Sequence, residues 1–315
     1  MYPDPTTVTR VTSIGAGPIG GGWTAHFLAR GYDVTAYIHS MAEVPALMSV
    51  INTAWISLTA LGLADGASLD RLRITDDLAE AVKHAEFIQE SAPERLDIKQ
   101  ALYQRLGALV SPDVVIASST SGLMMTQIQV LCPTPQRTVI GHPFNPPYLL
   151  PLVEIVGGKA TDQAAVDWAV AFYKVAGKAP LAMKKEIPGF VATRLQEALW
   201  REALHMVANG EATPDDIDNA LMNGPAARLM VQGQCMAFHV ACGEGGMATN
   251  LDQFGPALKW PWTRLEAPEL TQELRDRMVD GCNDIAAGRH FEELAAKRDR
   301  EIVAVTRALR DARTG

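Results

Sequence analysis

Apolar residues fall into two patterns along this chain. As far as Lys185, short continuous apolar runs stand between polar or glycine-rich breaks, at 8–14, 33–38, 87–89, 114–117, 138–141 and 152–156. Short runs bounded by turn residues read as strands buried on both faces. Stretches with a helical repeat separate the first few, notably 22–30, 43–62 and 94–109. Strand alternating with helix predicts a parallel, doubly wound sheet. After Ile187 the repeat changes. Phe190, Val191, Leu195, Leu199, Ala203 and Met206 recur at helical spacing, behind a Pro188-Gly189 pair that suits a helix start. Further helices are expected at 213–223, 269–286 and 291–311, and no strand-like alternation returns. The expected fold class is α/β, with residues 1–186 forming a sheet domain and residues 187–315 an all-α domain.

A length of 315 residues fits two domains at roughly 150 residues each. With 28 Lys and Arg against 36 Asp and Glu, the formal charge is −8. That balance argues against nucleic acid or an anionic membrane surface as a partner. No apolar run approaches the roughly 18 residues of a membrane span. The Met-Tyr-Pro-Asp-Pro start lacks the basic and apolar segments of a secretory signal. Cys132, Cys235, Cys242 and Cys282 form no CxxC pair and show no metal-ligand spacing, so no metal is expected. Free, mostly buried thiols in a reducing cytoplasm account for them.

The first apolar run leads directly into Gly15-Ala16-Gly17-Pro18-Ile19-Gly20, and a helical stretch follows. In a GxGxxG turn the first glycine permits the tight bend, the second lets backbone approach a pyrophosphate, and the third lets helix pack close on strand. The helix N-terminus then offers free N–H groups to phosphate oxygens. A plain glycine turn would look the same without the strand before it and the helix after it. A Rossmann-type dinucleotide-binding domain is therefore expected at residues 1–186. The carboxylate that usually holds the NAD ribose hydroxyls is missing: the second strand ends Ala36-Tyr37-Ile38-His39-Ser40, with no acid before Glu43. His39 or Ser40 can hydrogen-bond either dinucleotide, and no arginine is at hand for the extra phosphate of NADP. NAD is the expected cofactor, with NADP not excluded.

Candidate chemistry gathers in Gly141-His142-Pro143-Phe144-Asn145-Pro146-Pro147-Tyr148 and the apolar run after it. His142 ends a strand, where the carboxyl edge of a parallel sheet faces the ligand crevice. Glu154 follows twelve residues later among four aliphatic neighbours, Leu152, Val153, Ile155 and Val156. A carboxylate in that setting needs a partner. Pairing with His142 would fix the imidazole tautomer and raise its basicity, which suits removal of a hydroxyl proton. A solvent-facing Glu154 and a structural histidine are the alternative on spacing alone. Ser118-Ser119-Thr120-Ser121-Gly122 follows another strand, and its hydroxyls could serve a substrate oxygen or simply cap a helix.

Together these segments resemble the short-chain L-3-hydroxyacyl-CoA dehydrogenase superfamily. The resemblance is carried by GAGPIGGGW at 15–23, ESAPERLDIK at 90–99, SSTSG at 118–122, GHPFNPPYLLPLVEIVGG at 141–158, PGF at 188–190, RL at 194–195, WREALHM at 200–206 and FGPALKWPWTRL at 254–265. ESAPERLDIK and the LKWPWT segment are most similar to its carnitine-oxidising branch, with lambda-crystallin/L-gulonate 3-dehydrogenase a more distant relation. The resemblance implies NAD-dependent oxidation of a 3-hydroxyl and a helical domain that binds substrate and joins two subunits into a homodimer. It implies His142 as general acid/base, Glu154 as its orienting partner and Ser121 as a hydrogen-bond partner of the reacting oxygen. It puts Glu94 and Lys99 near the nicotinamide ribose. The family's acid at the end of the second strand aligns with Ile38, and its substrate-contacting Asn with Thr193. The branch's aromatic-rich stretch reads Leu229 to Cys235 here, after Arg228.

A carnitine site needs aromatic faces for the quaternary ammonium and a cation for the carboxylate. Phe144, Tyr148, Phe238, Phe254, Trp260 and Trp262 are the aromatic candidates, Arg194 and Arg228 the cationic ones, and Asn145 stands beside His142 in the same motif. Core or interface packing competes for each aromatic, and a structural ion pair for each arginine. L-gulonate, 3-hydroxybutyrate and a short 3-hydroxyacyl-CoA are alternative substrates. A non-catalytic dinucleotide-binding protein is the alternative of another kind, against which the His142–Glu154 pair counts.

Overall fold

The computed structural model describes residues 2–314 except 243, 245, 262, 265–268, 270, 275, 278 and 281–286. Eight strands form one sheet in the order β3-β2-β1-β4-β5-β6-β7-β8. They are β1 (Arg10–Ile14), β2 (Asp33–Tyr37), β3 (Leu72–Thr75), β4 (Phe87–Glu90), β5 (Val115–Ser118), β6 (Thr138–Pro143), β7 (Leu152–Gly157) and β8 (Ala179–Ala182). Neighbours run parallel from β3 to β6, as the alternation predicts. The sheet then departs from the expected all-parallel arrangement: β7 runs antiparallel to β6, and β8 follows β7. The cause is the connection. Residues 144–151 are too few for a crossover helix, so the chain must turn back beside β6.

Helices α1 (Pro18–Ala29), α2 (Val44–Leu61), α3 (Leu78–Val82), α4 (Leu96–Leu109), α5 (Met125–Ile128) and α6 (Gln163–Val175) flank the sheet. One core layer packs Trp23, Phe27, Phe87, Trp168, Phe172 and Tyr173 on one side, and a second packs Ile14, Ile88, Tyr103, Leu106, Ile116 and Ile140 on the other. Gly21 and Gly22 are placed by contact: a Cβ at Gly21 would stand 2.8 Å from Val50 Cγ1, and one at Gly22 would stand 2.6 Å from Pro147 Cγ.

The segment Met41–Leu61 is long and apolar enough to cross a membrane by length and composition, against the expectation that no apolar run approaches that length. In the fold it supplies α2, whose Leu47, Ile51, Ala54 and Leu58 are buried with Ala25, Ala29 and Ile38. Of the described cysteines, only Cys132 is buried; Cys242 is half-buried and Cys235 exposed, against the expectation of mostly buried thiols.

Two compact units divide the chain. The first runs to Thr193 and also takes Arg298–Arg307, and the second takes Arg194–Lys297 and the residues after Arg307. The helix expected from Pro188 starts later, as α7 (Ala192–Ala208), because Gly189 and Phe190 have φ of 69° and 51° and form a left-handed turn. Beyond it lie α8 (Pro214–Asn223), α9 (Pro225–Ala241), α10 (Gly246–Phe254) and α11 (Phe291–Thr314). Residues 269–286 fall partly outside the described residues. A full capping box at Thr213 and Asp216 starts α8, and Gly233, at φ 71° and ψ 169°, breaks α9 in two. No strand occurs after β8 among the described residues.

Candidate active site

Each glycine of the first turn meets a different constraint. Gly15 has φ 115°, and a Cβ there would lie 2.5 Å from the Ser91 carbonyl oxygen. A Cβ at Gly20 would lie 2.2 Å from the Gly15 oxygen, so helix and strand touch through backbone. A Cβ at Gly17 would meet nothing within 4 Å. Open space at the second glycine, beside the first turn of α1, is what a pyrophosphate requires. Gly17 is the N-cap with no side-chain cap, and Pro18 follows it without an N–H of its own. The N–H groups of Ile19 and Gly20 are thus the first-turn donors directed at that space. These residues fit a dinucleotide.

Beyond the cradle, the strand edge differs from the expectation. Ile38, counted among the cofactor-facing residues, turns its side chain into the core beside Ala36 and Leu47, because it continues the buried face of β2. His39 and Ser40 are exposed at that end, where Ser40 Oγ accepts a hydrogen bond from the Ala42 N–H. Lys99 is also buried, at 1% exposure. Its ammonium donates to Glu90 Oε1 at 2.6 Å and to the Ala92 carbonyl at 3.1 Å, so it acts on the site through Glu90.

The antiparallel return of β7 sets the main feature. In the β6–β7 register His142 is directly opposite Glu154, so their side chains leave the same face of the sheet. His142 Nδ1 and Glu154 Oε2 are 3.0 Å apart, and both groups are buried. The second carboxylate oxygen, Oε1, accepts from the Val191 N–H at 2.9 Å and the Ala192 N–H at 2.8 Å, where the chain enters α7. Burial alone would raise the Glu154 carboxyl. The His142 bond and the Ala192 and Val191 N–H groups outweigh it and hold the group below the usual carboxylate range. An ionised Glu154 keeps the proton on Nδ1, which leaves Nε2 as the nitrogen able to exchange one. The rings of Phe144 and Phe190 lie 5.1 and 5.4 Å from the imidazole, so apolar surface surrounds it.

Two more carboxylates organise the ends of β4 and β5. Glu90, fully buried, accepts from Lys99, from the Ala92 N–H at 2.6 Å and from Ser118 Oγ at 2.5 Å. Half-exposed Glu94 accepts from Thr120 Oγ1, the Ser121 N–H at 3.0 Å and the Gly122 N–H at 3.3 Å, with Lys99 3.7 Å away. Its burial would raise it, but those donors and Lys99 hold it low. Ser121 is exposed on this turn, and its hydroxyl donates to Glu94 Oε1 at 3.5 Å rather than to a helix cap.

A profile of the 3-hydroxyacyl-CoA dehydrogenase NAD-binding domain matches residues 10–187, and one of the C-terminal domain of the same enzymes matches residues 189–280. The chain belongs to the 3-hydroxyacyl-CoA dehydrogenase family. It is 59% identical to an L-carnitine dehydrogenase of Streptomyces coelicolor over 96% of both chains. It is 46% identical to one of Pseudomonas aeruginosa over 97% of this chain and 95% of that one. Among solved structures it resembles 5-formyl-3-hydroxy-2-methylpyridine 4-carboxylic acid 5-dehydrogenase, an NAD+-dependent dismutase. The TM-score is 0.81 and the identity 29%, over 96% of this chain and 99% of that one.

In this NAD-dependent dehydrogenase the remaining expected residues separate by unit. Phe144 is half-buried against His142 with exposed Asn145 beside it, and Thr193 lies in the same first turn of α7 whose N–H groups hold Glu154. Tyr148 is buried and donates to Asp299 Oδ2 at 2.6 Å, which makes it a packing residue and not a cage wall. Arg194, Arg228, Phe238, Phe254 and Trp260 belong to the second unit, where all are exposed. Trp262 lies outside the described residues. The sequence reading missed Glu90, although a glutamate directly after an apolar run and nine residues before Lys99 was the available signal.

Proposed function

We propose that this dehydrogenase oxidises the 3-hydroxyl of L-carnitine to the ketone, giving 3-dehydrocarnitine. The observation that carries the chemistry is the buried His142–Glu154 pair at the carboxyl edge of the sheet. The substrate rests on near-full-length identity to L-carnitine dehydrogenases. Bound NAD, held by Gly15, Gly17, Pro18, Ile19 and Gly20, supplies the hydride acceptor. His142 Nε2 takes the hydroxyl proton as the carbon–oxygen double bond forms, and Glu154 stabilises the imidazolium. Ser121 donates to the reacting oxygen. Phe144, whose ring lies 5.1 Å from the His142 imidazole, offers an aromatic face for the quaternary ammonium.

One observation favours a second reading, another small 3-hydroxy acid such as L-gulonate or 3-hydroxybutyrate. The stretch after Arg228 lacks aromatics, and Gly233 breaks α9 within it. The enzyme works as a cytoplasmic homodimer without nucleic acid or membrane partners. Support for a dimer comes from the apolar residues left exposed on the second unit's helices, among them Leu195, Leu199, Trp200, Met222 and Leu251.

A panel of L-carnitine, D-carnitine, L-gulonate, 3-hydroxybutyrate and 3-hydroxybutyryl-CoA, followed by NADH absorbance, tests the substrate. Turnover with L-carnitine above all others is the expected result. Faster turnover of another member would replace the substrate and leave the dyad chemistry standing.

A further inference from the structure

Lys178 lies between α6 and β8 with its side chain buried, and no carboxylate is within ion-pair distance of it among the described residues. Its ammonium donates to the carbonyls of Pro147 and Leu150, the latter at 3.2 Å, and stands 5.0 Å from the centroid of the Trp23 ring. Both carbonyls belong to the connection from β6 to β7, the segment that begins with Phe144 and Asn145 and separates His142 from Glu154. That connection is tightly constrained. The Leu149 and Leu150 N–H groups both donate to the Pro146 carbonyl at 3.0 Å, and Pro147 presses on α1 where Gly22 leaves no room for a side chain. Two inward carbonyls need a donor there, and the ammonium is the group that reaches both.

We propose that Lys178 is a positioning residue for this active site: it fixes the Pro147–Leu150 turn and so holds Phe144, at the start of the same connection, against His142. The proposal rests on the reading of His142 as the base. A buried charge with no anionic partner is a costly way to bind two carbonyls, and a buried neutral chain would leave them unpaired.

The same burial makes the grip sensitive to pH. Desolvation brings the Lys178 ammonium down from 10.5 to about 7. Several other titratable groups lie around it. On α1, burial keeps His26 neutral, its pKa well below the ordinary value, while its Nε2 is 2.8 Å from the Ala176 carbonyl oxygen. Arg30, the residue after α1, lies beside Gly177. From α6, Tyr173 is pushed well above 10 by burial, and Lys174 is exposed to solvent. The turn itself carries only Tyr148, bonded to Asp299 of α11, and β7 carries only Glu154, engaged by His142 and the start of α7.

Amide hydrogen exchange at Tyr148, Leu149 and Leu150 tests the proposal, corrected for the intrinsic pH dependence of exchange. In wild type, protection should rise about fivefold as pH rises from about 6 to about 9, because an opening of the turn that lets water reach Lys178 is favoured while its buried ammonium is charged. Lys178→Met should exchange at the faster level at every pH. Its NADH affinity should match wild type while KM for L-carnitine rises about tenfold and kcat falls less. Wild-type protection that stays flat with pH would overturn the proposal, as would a Met variant protected like wild type or one that loses NADH affinity in step with KM. The wild-type series decides the matter if the Met variant does not fold. Failure of wild type to oxidise L-carnitine would remove the substrate reading and leave the exchange test intact.

Discussion

Replacing Glu154 by glutamine changes one oxygen for an amide nitrogen and should disable the enzyme through its histidine. Glu154 accepts three N–H groups, from His142, Val191 and Ala192. Glutamine has a single acceptor oxygen. If that oxygen keeps the two backbone donors, the amide NH2 faces Nδ1 and forces the proton onto Nε2, so the nitrogen that must take the hydroxyl proton already carries one. If it turns to His142 instead, the NH2 confronts two backbone N–H groups. Loss of the charge also removes the attraction that steadies the imidazolium. At the 3.0 Å separation, an effective dielectric constant of about 20 gives about 5.5 kcal/mol for that attraction, a ceiling of roughly ten-thousandfold in rate. Part of it is retained by the amide dipole, so kcat should fall roughly a thousand- to ten-thousandfold. The assay is initial-rate NADH formation at saturating substrate and NAD, with NADH binding by fluorescence and thermal unfolding measured alongside. NADH affinity should stay within about threefold of wild type. Unfolding should move down by an amount matching about 1–3 kcal/mol for the displaced donors. A folded Glu154→Gln enzyme whose kcat lies within about threefold of wild type would refute the reasoning.

Three further outcomes are expected. Gly17→Val should fold with an unchanged Tm and lose NADH binding, because its side chain enters the open space at the cradle. Gly20→Ala should instead lower Tm, since its Cβ would stand 2.2 Å from the Gly15 oxygen; equal effects of the two on both readouts would count against the assignment. Lys178 titrates near 7 when folded and near 10.5 when unfolded, so between those values the unfolded chain binds more protons and stability rises with pH. The stability difference between wild type and Lys178→Met, measured by urea unfolding, should therefore shift toward wild type by about 5 kcal/mol across that window, and a pH-independent difference would be contrary. With Ile38 in the core and no acid at the end of β2, NADP should support turnover with kcat/KM within about a hundredfold of NAD; a much larger discrimination would point to another residue that rejects the phosphate.

What the sequence made legible follows burial. Strands packed on both faces, such as β1, β4, β5 and β6, announce themselves as unbroken apolar runs between turn residues. The two strands left unread, β3 and β8, are the sheet's edges. Their residues are only partly buried, and Pro180 sits within β8, so the apolar signal thins where the fold needs it least. The reversal of β7 was implicit in eight residues between two strands, three of them proline, but pattern alone reads such a segment as a loop of no stated direction. Within the site, Glu154 was visible because four aliphatics surround it, and the spacing to His142 gained meaning only from the antiparallel register. Ile38 shows the converse. Its position in the chain suggests the cofactor, while the period of two along β2 sends it inward. Lys178 was illegible because its acceptors are backbone carbonyls about thirty residues away, and carbonyls leave no mark in a sequence.

The most direct test of the central claim uses L-carnitine carrying deuterium at C3, with mass spectrometry of the reduced cofactor. The account predicts that the deuterium arrives on NADH one-for-one with 3-dehydrocarnitine, and that His142→Gln abolishes the transfer while still binding NADH. Reduced cofactor without deuterium, or no reduction of NAD by L-carnitine, would contradict it.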